Sequence, residues 1–76
     1  MEKKDIVEIE GIVTQTHPTG FLRVLLDNQE TILASISGNI RQKSIQLLVG
    51  DRVKVELHIC DLTRGRIIQK LSKAKN

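Results

Sequence analysis

The stretch Val49-Gly50-Asp51-Arg52-Val53-Lys54-Val55-Glu56-Leu57, followed by Arg64-Gly65-Arg66-Ile67-Ile68, constrains the fold more than any other part of this chain. Gly50-Asp51 is turn chemistry, because glycine tolerates positive φ and aspartate satisfies local backbone donors. After that turn Val53, Val55 and Leu57 fall on one face at period two, and Arg52, Lys54 and Glu56 on the other. The pattern is that of a half-buried strand with a mostly cationic wet face. Arg64-Gly65-Arg66, read as a loop, brings two more guanidiniums close to its far end. A cationic sheet edge of this kind points to RNA.

Seventy-six residues make one small domain, whose core offsets chain entropy only narrowly. Few residues are spare for an elaborate active site, and no Ser/His/acid set or pair of carboxylates can be placed on one surface, so an enzyme is not expected. The formal charge is +3, but its distribution says more. Residues 1–40 hold three basic and six acidic side chains, a sum of −3; residues 41–76 hold nine basic and three acidic, a sum of +6. Such polarity gives a one-sided footprint for a polyanion, and nucleic acid suits it better than a membrane because no stretch reads as a basic amphipathic helix. Nothing in the chain is long and apolar enough to span a bilayer. Met1 to Glu10 carries Glu2, Lys3, Lys4, Asp5, Glu8 and Glu10 where a signal peptide needs an apolar run. Cys60, the single cysteine, forms no internal disulfide and reads as a small apolar filler in a reducing compartment.

The remaining periodicity is that of strands with one helical interruption. Val7 to Gln15 alternates as a first strand, with Gly11 where a barrel strand bends, and His17-Pro18-Thr19-Gly20 closes it. Phe21 to Leu26 and Glu30 to Ile36 follow, with inward sets Leu22, Val24, Leu26 and Ile32, Ala34, Ile36. Both sets sit at even positions, so cross-strand partners sum to an even number, as Val24 with Ile32. Asp27-Asn28-Gln29 is then a three-residue hairpin loop. Such a loop favours a left-handed residue at its end, so either Gln29 accepts a cost of about 1 kcal/mol or Asn28 takes that conformation in a different turn.

After Ile36, the positions Ile40, Ser44, Ile45, Leu47 and Leu48 fit a period near 3.6 over roughly two turns. Ser37-Gly38-Asn39 supplies a cap, Gly50 a stop, and Arg41, Lys43 and Gln46 the solvent side. Val53 to Leu57 is the fourth strand and Arg66 to Lys70 or Leu71 the fifth, with Ile67 and Ile68 leaving its inward face ambiguous. The expected organisation is a flexible N-terminus at 1–5, a binding domain at 6–71 and a basic C-terminal tail at 72–76.

Five short strands with a helix between the third and fourth are the order of an OB-fold barrel, an all-β class; an SH3-like barrel is the runner-up and has no use for the helix. In an OB-fold, strands two and three and the loops joining strands one to two and four to five bind oligonucleotides. Here that surface holds His17, Phe21, Arg23, Leu33, Asp61, Arg64 and Arg66.

The ordered segments Ile36-Ser37-Gly38, Ile40-Arg41, Val49-Gly50-Asp51-x-Val53-x-Val55-Glu56-Leu57 and Asp61-Leu62-Thr63-x-Gly65-Arg66-Ile67 resemble bacterial and plastid translation initiation factor one. Glu8-x-x-Gly11-x-Val13 and Arg23-Val24 match its first half, so the resemblance covers residues 6–68. The Gly-Asp-x-Val-x-Val element alone is shared with S1-type RNA-binding domains; the ordered combination is far more specific. The resemblance implies a single non-catalytic barrel, monomeric and without cofactor, in a bacterial cytoplasm or a plastid stroma. It implies a place in the decoding A site of the small ribosomal subunit, against ribosomal RNA and a neighbouring ribosomal protein, in cooperation with initiation factors two and three. By position, Arg23, Ser37, Gly38, Arg41, Gly65 and Arg66 match the family pattern, and Arg64 keeps a basic residue at a Lys/Arg position. With Lys43 and Lys70 these make the expected RNA-binding set. The chain departs from the family where Ser44, Cys60 and Gln69 replace aromatics, Gln46 an arginine, Gln29 a loop glycine, and near Ser35, where a histidine is usual.

The chemistry of this set is electrostatic. An arginine fork engages two phosphate oxygens at once, which suits Arg41, Arg64 and Arg66 to a fixed RNA backbone. Isolated Arg52 and Lys54 read better as solvated surface charges. Phe21, the one aromatic, either stacks a base or packs under a loop, and a single ring makes no stacking platform. His17, His58 and Cys60 lack metal-ligand spacing, so no metal is expected. Asp61 reads as a turn residue before a helper that orients Arg64. Two other classes compete: a cold-shock-like chaperone of single-stranded RNA, which wants aromatic ladders this chain lacks, and a protein-interaction barrel whose basic half only solubilises.

Overall fold

A computed structural model describes residues 5–73. Five strands close into a barrel: β1 (Ile6–Thr16), β2 (Leu22–Leu26), β3 (Thr31–Ile36), β4 (Arg52–His58) and β5 (Asp61–Ser72), with helix α1 (Gly38–Gln42) between β3 and β4. The order around the barrel is β1-β2-β3-β5-β4. Closure depends on β1, which is long enough to pair with both β2 and β4: Gly11 lies opposite Leu26 on one side and Val53 on the other. The all-β OB-fold expected from the element order is what the chain forms.

The β2–β3 hairpin has the register that parity requires, with Val24 opposite Ile32. Its loop is Asp27-Asn28-Gln29: the Leu26 amide donates to the Glu30 carbonyl at 2.8 Å, and Gln29 takes the left-handed position at φ 75. Asn28 instead uses its side-chain oxygen to accept from the Glu30 amide at 3.0 Å. Inward alternation fills the interior with Val13, Leu22, Val24, Leu26, Ile32, Ala34, Val53, Val55 and Leu57. Of the adjacent isoleucines in β5, Ile67 is the one fully buried.

The helix is shorter than its apolar spacing suggests. Ser37 caps it, its Oγ accepting from the Ile40 amide at 3.3 Å, and it ends after Gln42. Ser44, expected on the inward helical face, has φ 54 and ends any continuation. Local turn chemistry outcompetes the second turn: Asp51 Oδ2 accepts from the Leu48 amide at 2.7 Å, and the Asp51 amide donates back to the Leu48 carbonyl at 3.0 Å. Gly50 supports this turn at φ 96, donating to the Val13 carbonyl at 2.7 Å. Leu47 is still buried, while Leu48 is half exposed instead of inward.

The second correction concerns Arg64-Gly65-Arg66, which is no loop. β5 begins at Asp61, and these residues pair on both sides: Arg64 with Leu33, Gly65 with Ala34 and Leu57, Arg66 with Ser35 and Glu56. Gly65 is there for close approach. A Cβ at that position would lie 2.6 Å from Val55 Cγ1 and 2.8 Å from Leu57 Cδ2, so only glycine lets β5 cross between its neighbours. β5 also extends through Ser72, opposite Arg52, so Ser72 belongs to the sheet and not to the tail expected from 72 onward. Residues 1–4 and 74–76, most of the expected flexible ends, lie outside the described residues. Asp5 is tied down, its carbonyl accepting from the Ile59 amide at 3.0 Å.

Candidate nucleic-acid interface

Register assembles the site. Arg23 on β2 lies opposite Leu33 on β3, and Leu33 lies opposite Arg64 on β5. Direct partners share a face, so these three residues form one row across the outside of the barrel. Arg66, two residues along β5, projects from the same face beside Ser35. Arg64 and Arg66 also line an open cleft of about 610 Å³ with Ile6, Glu56, His58, Asp61 and Gly65.

Cations with carboxylate partners must be separated from those without, since a guanidinium already held by a carboxylate has to be released before it binds phosphate. Arg52 bonds Asp27 at 2.5 Å and meets Glu10 at 3.3 Å, and Lys54 meets Glu8 at 3.9 Å. The Asp27 hydrogen bond holds the Arg52 guanidinium further into its charged form. Both residues serve the barrel wall, held by carboxylates and not left as the isolated solvated charges expected from the sequence. Lys70 meets the buried Asp51 carboxylate at 3.3 Å and donates to the Gln46 carbonyl at 2.9 Å, so its ammonium pins the segment before β4. Arg66 donates to Glu56 Oε1 through both Nε and a terminal nitrogen. By contrast, the side chains of Arg23, Arg41, Lys43 and Arg64 have no hydrogen bond or ion pair among the described residues.

Asp61 behaves as a turn residue. Its Oδ1 accepts from the Thr63 hydroxyl at 2.6 Å and the Thr63 amide at 3.1 Å. These bonds, with smaller contributions from the neighbouring Arg64 and His58, hold its carboxyl below the usual carboxylate range. Asp61 thus shapes the start of the strand that carries Arg64.

The other expected residues lie further along the same β3–β5 ladder. The Ser37 amide donates to the Ile67 carbonyl at 3.0 Å, so α1 starts one residue beyond Arg66. Ser37 is buried with its hydroxyl on the helix cap, whereas Gly38 has open surroundings. Arg41 and Lys43 are exposed on that turn, at the opposite end of the ladder from Arg64. The expected set therefore resolves into a row of Arg23, Arg64 and Arg66 with Gly65 between the last two, a helical group of Ser37, Gly38, Arg41 and Lys43, and the separately engaged Lys70. Phe21 is 43% exposed and lines a shallow depression with His17, Ile36 and Leu47. No group of three or more His, Cys, Asp or Glu among the described residues is placed to hold a metal. Sequence reading missed Glu56 as the partner of Arg66, because only the β4–β5 register brings two residues ten apart in the chain face to face.

Known proteins share both the sequence and the barrel. The family profile described as "Translation initiation factor 1A / IF-1" matches residues 1–76. The chloroplastic translation initiation factor IF-1 of Pinus koraiensis is 54% identical over 72 residues, which are 95% of this chain and 96% of that protein. The solution structure of translation initiation factor one from the Wolbachia endosymbiont strain TRS of Brugia malayi is similar at a TM-score of 0.75 and 41% identity, over 93% of this chain and 84% of that one. A part of YjeQ from Thermotoga maritima has the same barrel, at a TM-score of 0.71 and 29% identity, over 88% of this chain but only 23% of that one. The chain belongs to the translation initiation factor 1A / IF-1 family.

Proposed function

We propose that the barrel is a non-catalytic initiation factor that binds the A site of the small ribosomal subunit through ribosomal RNA and a neighbouring ribosomal protein, and supports initiation with factors two and three. Its setting is a plastid stroma or a bacterial cytoplasm, and it acts as a monomer. The observation that carries this reading is the Arg23–Leu33–Arg64 row on the outer face of β2, β3 and β5, whose two guanidiniums make no hydrogen bond or ion pair among the described residues. Such groups offer bidentate, charge-assisted bonds to phosphate oxygens fixed by RNA shape. Arg66 extends the row, and Arg41 and Lys43 add exposed cations at the helix end of the β3–β5 ladder. The single exposed ring of Phe21 gives little for stacking, so a folded RNA backbone fits this face better than a free single strand.

Sedimentation of the protein with purified small subunits tests the reading, with and without the two other initiation factors. Saturable binding to subunits, strengthened by the other factors and far tighter than to a free oligonucleotide, is the expected result. Equal affinity for free single-stranded RNA would favour a general RNA chaperone instead.

A further inference from the structure

The two mouths of the barrel are closed to different degrees. At one, α1 and the segment after it drive Ile40 and Leu47 into the core. At the other, beside the β2–β3 loop and the β4–β5 hairpin, a cavity of about 400 Å³ opens between Val7, Ile9, Leu26, Leu57 and Leu62. Val7 and Leu62 are left 41% and 54% exposed there. Glu8, Asn28, Glu30 and Thr63 form its polar edge. Glu10 and Asp27, both held by Arg52, lie next to it and line with Lys54 a shallow depression that shares Glu8 and Ile9 with the cavity. Among the described residues Glu30 has no ion pair and Glu8 has only the 3.9 Å contact to Lys54.

We propose that this mouth is a docking site for a basic protein segment that inserts one aliphatic side chain between Val7, Leu57 and Leu62 while its flanking Lys or Arg residues meet Glu8 and Glu30. An apolar floor rewards burial of an aliphatic group, and the acidic edge selects cationic neighbours and repels phosphate. Nucleic acid is excluded as the occupant for that reason. The site is separate from the cationic row although it adjoins it: Leu62 and Thr63 line the apolar mouth, while Asp61 and Arg64 line the open cleft. Its occupation does not depend on how the row is used.

The test is an amide chemical-shift titration of the full chain with the capped peptide Lys-Arg-Ile-Arg-Lys, alongside the same peptide with serine for isoleucine and an oligouridylate. Saturable shifts at Val7, Ile9, Leu57 and Leu62 are expected with the isoleucine peptide. Leu62→Ser, at a half-exposed position that the fold does not need, is expected to weaken it about tenfold, the worth of one buried aliphatic side chain. Glu30→Gln, fully compatible with folding, is expected to weaken it and flatten its salt dependence. The proposal is overturned if the serine peptide binds as tightly, if the shifts fall on Arg23 and Arg64, if oligouridylate moves the same mouth residues equally well, or if no saturable shift appears.

Discussion

Arg64 and Arg66 project from one face of β5 yet differ in what they can give to a phosphate. Arg66 is engaged by Glu56, while Arg64 has no such partner among the described residues. Exposed pairs of this kind are worth at most about 1 kcal/mol, so Arg66 is recruitable, but only after that cost is met. Arg64→Ala is therefore expected to weaken small-subunit binding about tenfold, and Arg66→Ala less, from the roughly 1.5–3 kcal/mol scale of charge-assisted bonds. Glu56→Gln, which keeps the shape and removes the competing charge, is expected to strengthen binding. Competition sedimentation ranks the three variants, and equal losses for both arginines with no effect of Glu56→Gln would contradict this ordering. Asp61 carries a pH signature of its own. Because the Thr63 bonds lower its folded pKa, the turn's stabilisation is present above the unfolded carboxylate range and is lost only as pH falls through the lower folded value. The Thr63 amide resonance is expected to titrate with a midpoint below the usual value of about 4. A midpoint at or above it would show that the bond is not held in solution.

Among the elements, β5 depends most on one residue. Gly65→Ala forces a methyl group against Val55 and the backbone of Glu56, and overpacking of this kind costs about 1–3 kcal/mol. Thermal unfolding should show a Tm lower by about 4–8 °C per kcal/mol in a domain of this size. An unchanged Tm would mean that β5 does not pass as closely as described. The strand alternation of β2, β3 and β4 was legible in the sequence because each buries one face only, and the parity of Val24 and Ile32 fixed the hairpin register. Arg64-Gly65-Arg66 was misread because a glycine that permits close approach and one that permits a turn look the same in a sequence. The helix was overextended for a related reason: Leu47 is buried from a non-helical segment, so its spacing imitates a second turn. The guanidiniums of the candidate site stood out in the sequence as residues. Their division into engaged and unengaged groups was not, because it follows from pairings such as Arg66 with Glu56 and Lys70 with Asp51 that only the closed barrel creates.

For the whole molecule, folding turns a charge asymmetry along the chain into one across the surface. The acidic first half places Glu8, Glu10 and Asp27 beside Arg52 and Lys54, so two cations of the basic second half are neutralised on the β1–β4 wall. Among the described residues, the cations left without an ion pair include Arg23 on β2, Arg64 on β5 and Arg41 on α1. Fewer charges are therefore open to a polyanion than the composition counts. The salt dependence of small-subunit binding, measured by sedimentation for the native chain, the Arg23→Ala/Arg64→Ala double variant and the Lys54→Ala variant, tests this most directly. Each cation that releases counterions contributes about 0.7–0.9 to the log–log slope, so the double variant is expected to lose about 1.5 from the slope and Lys54→Ala almost nothing. A double variant with the native slope, or a Lys54→Ala variant with a reduced one, would contradict docking through the Arg23–Arg64 row.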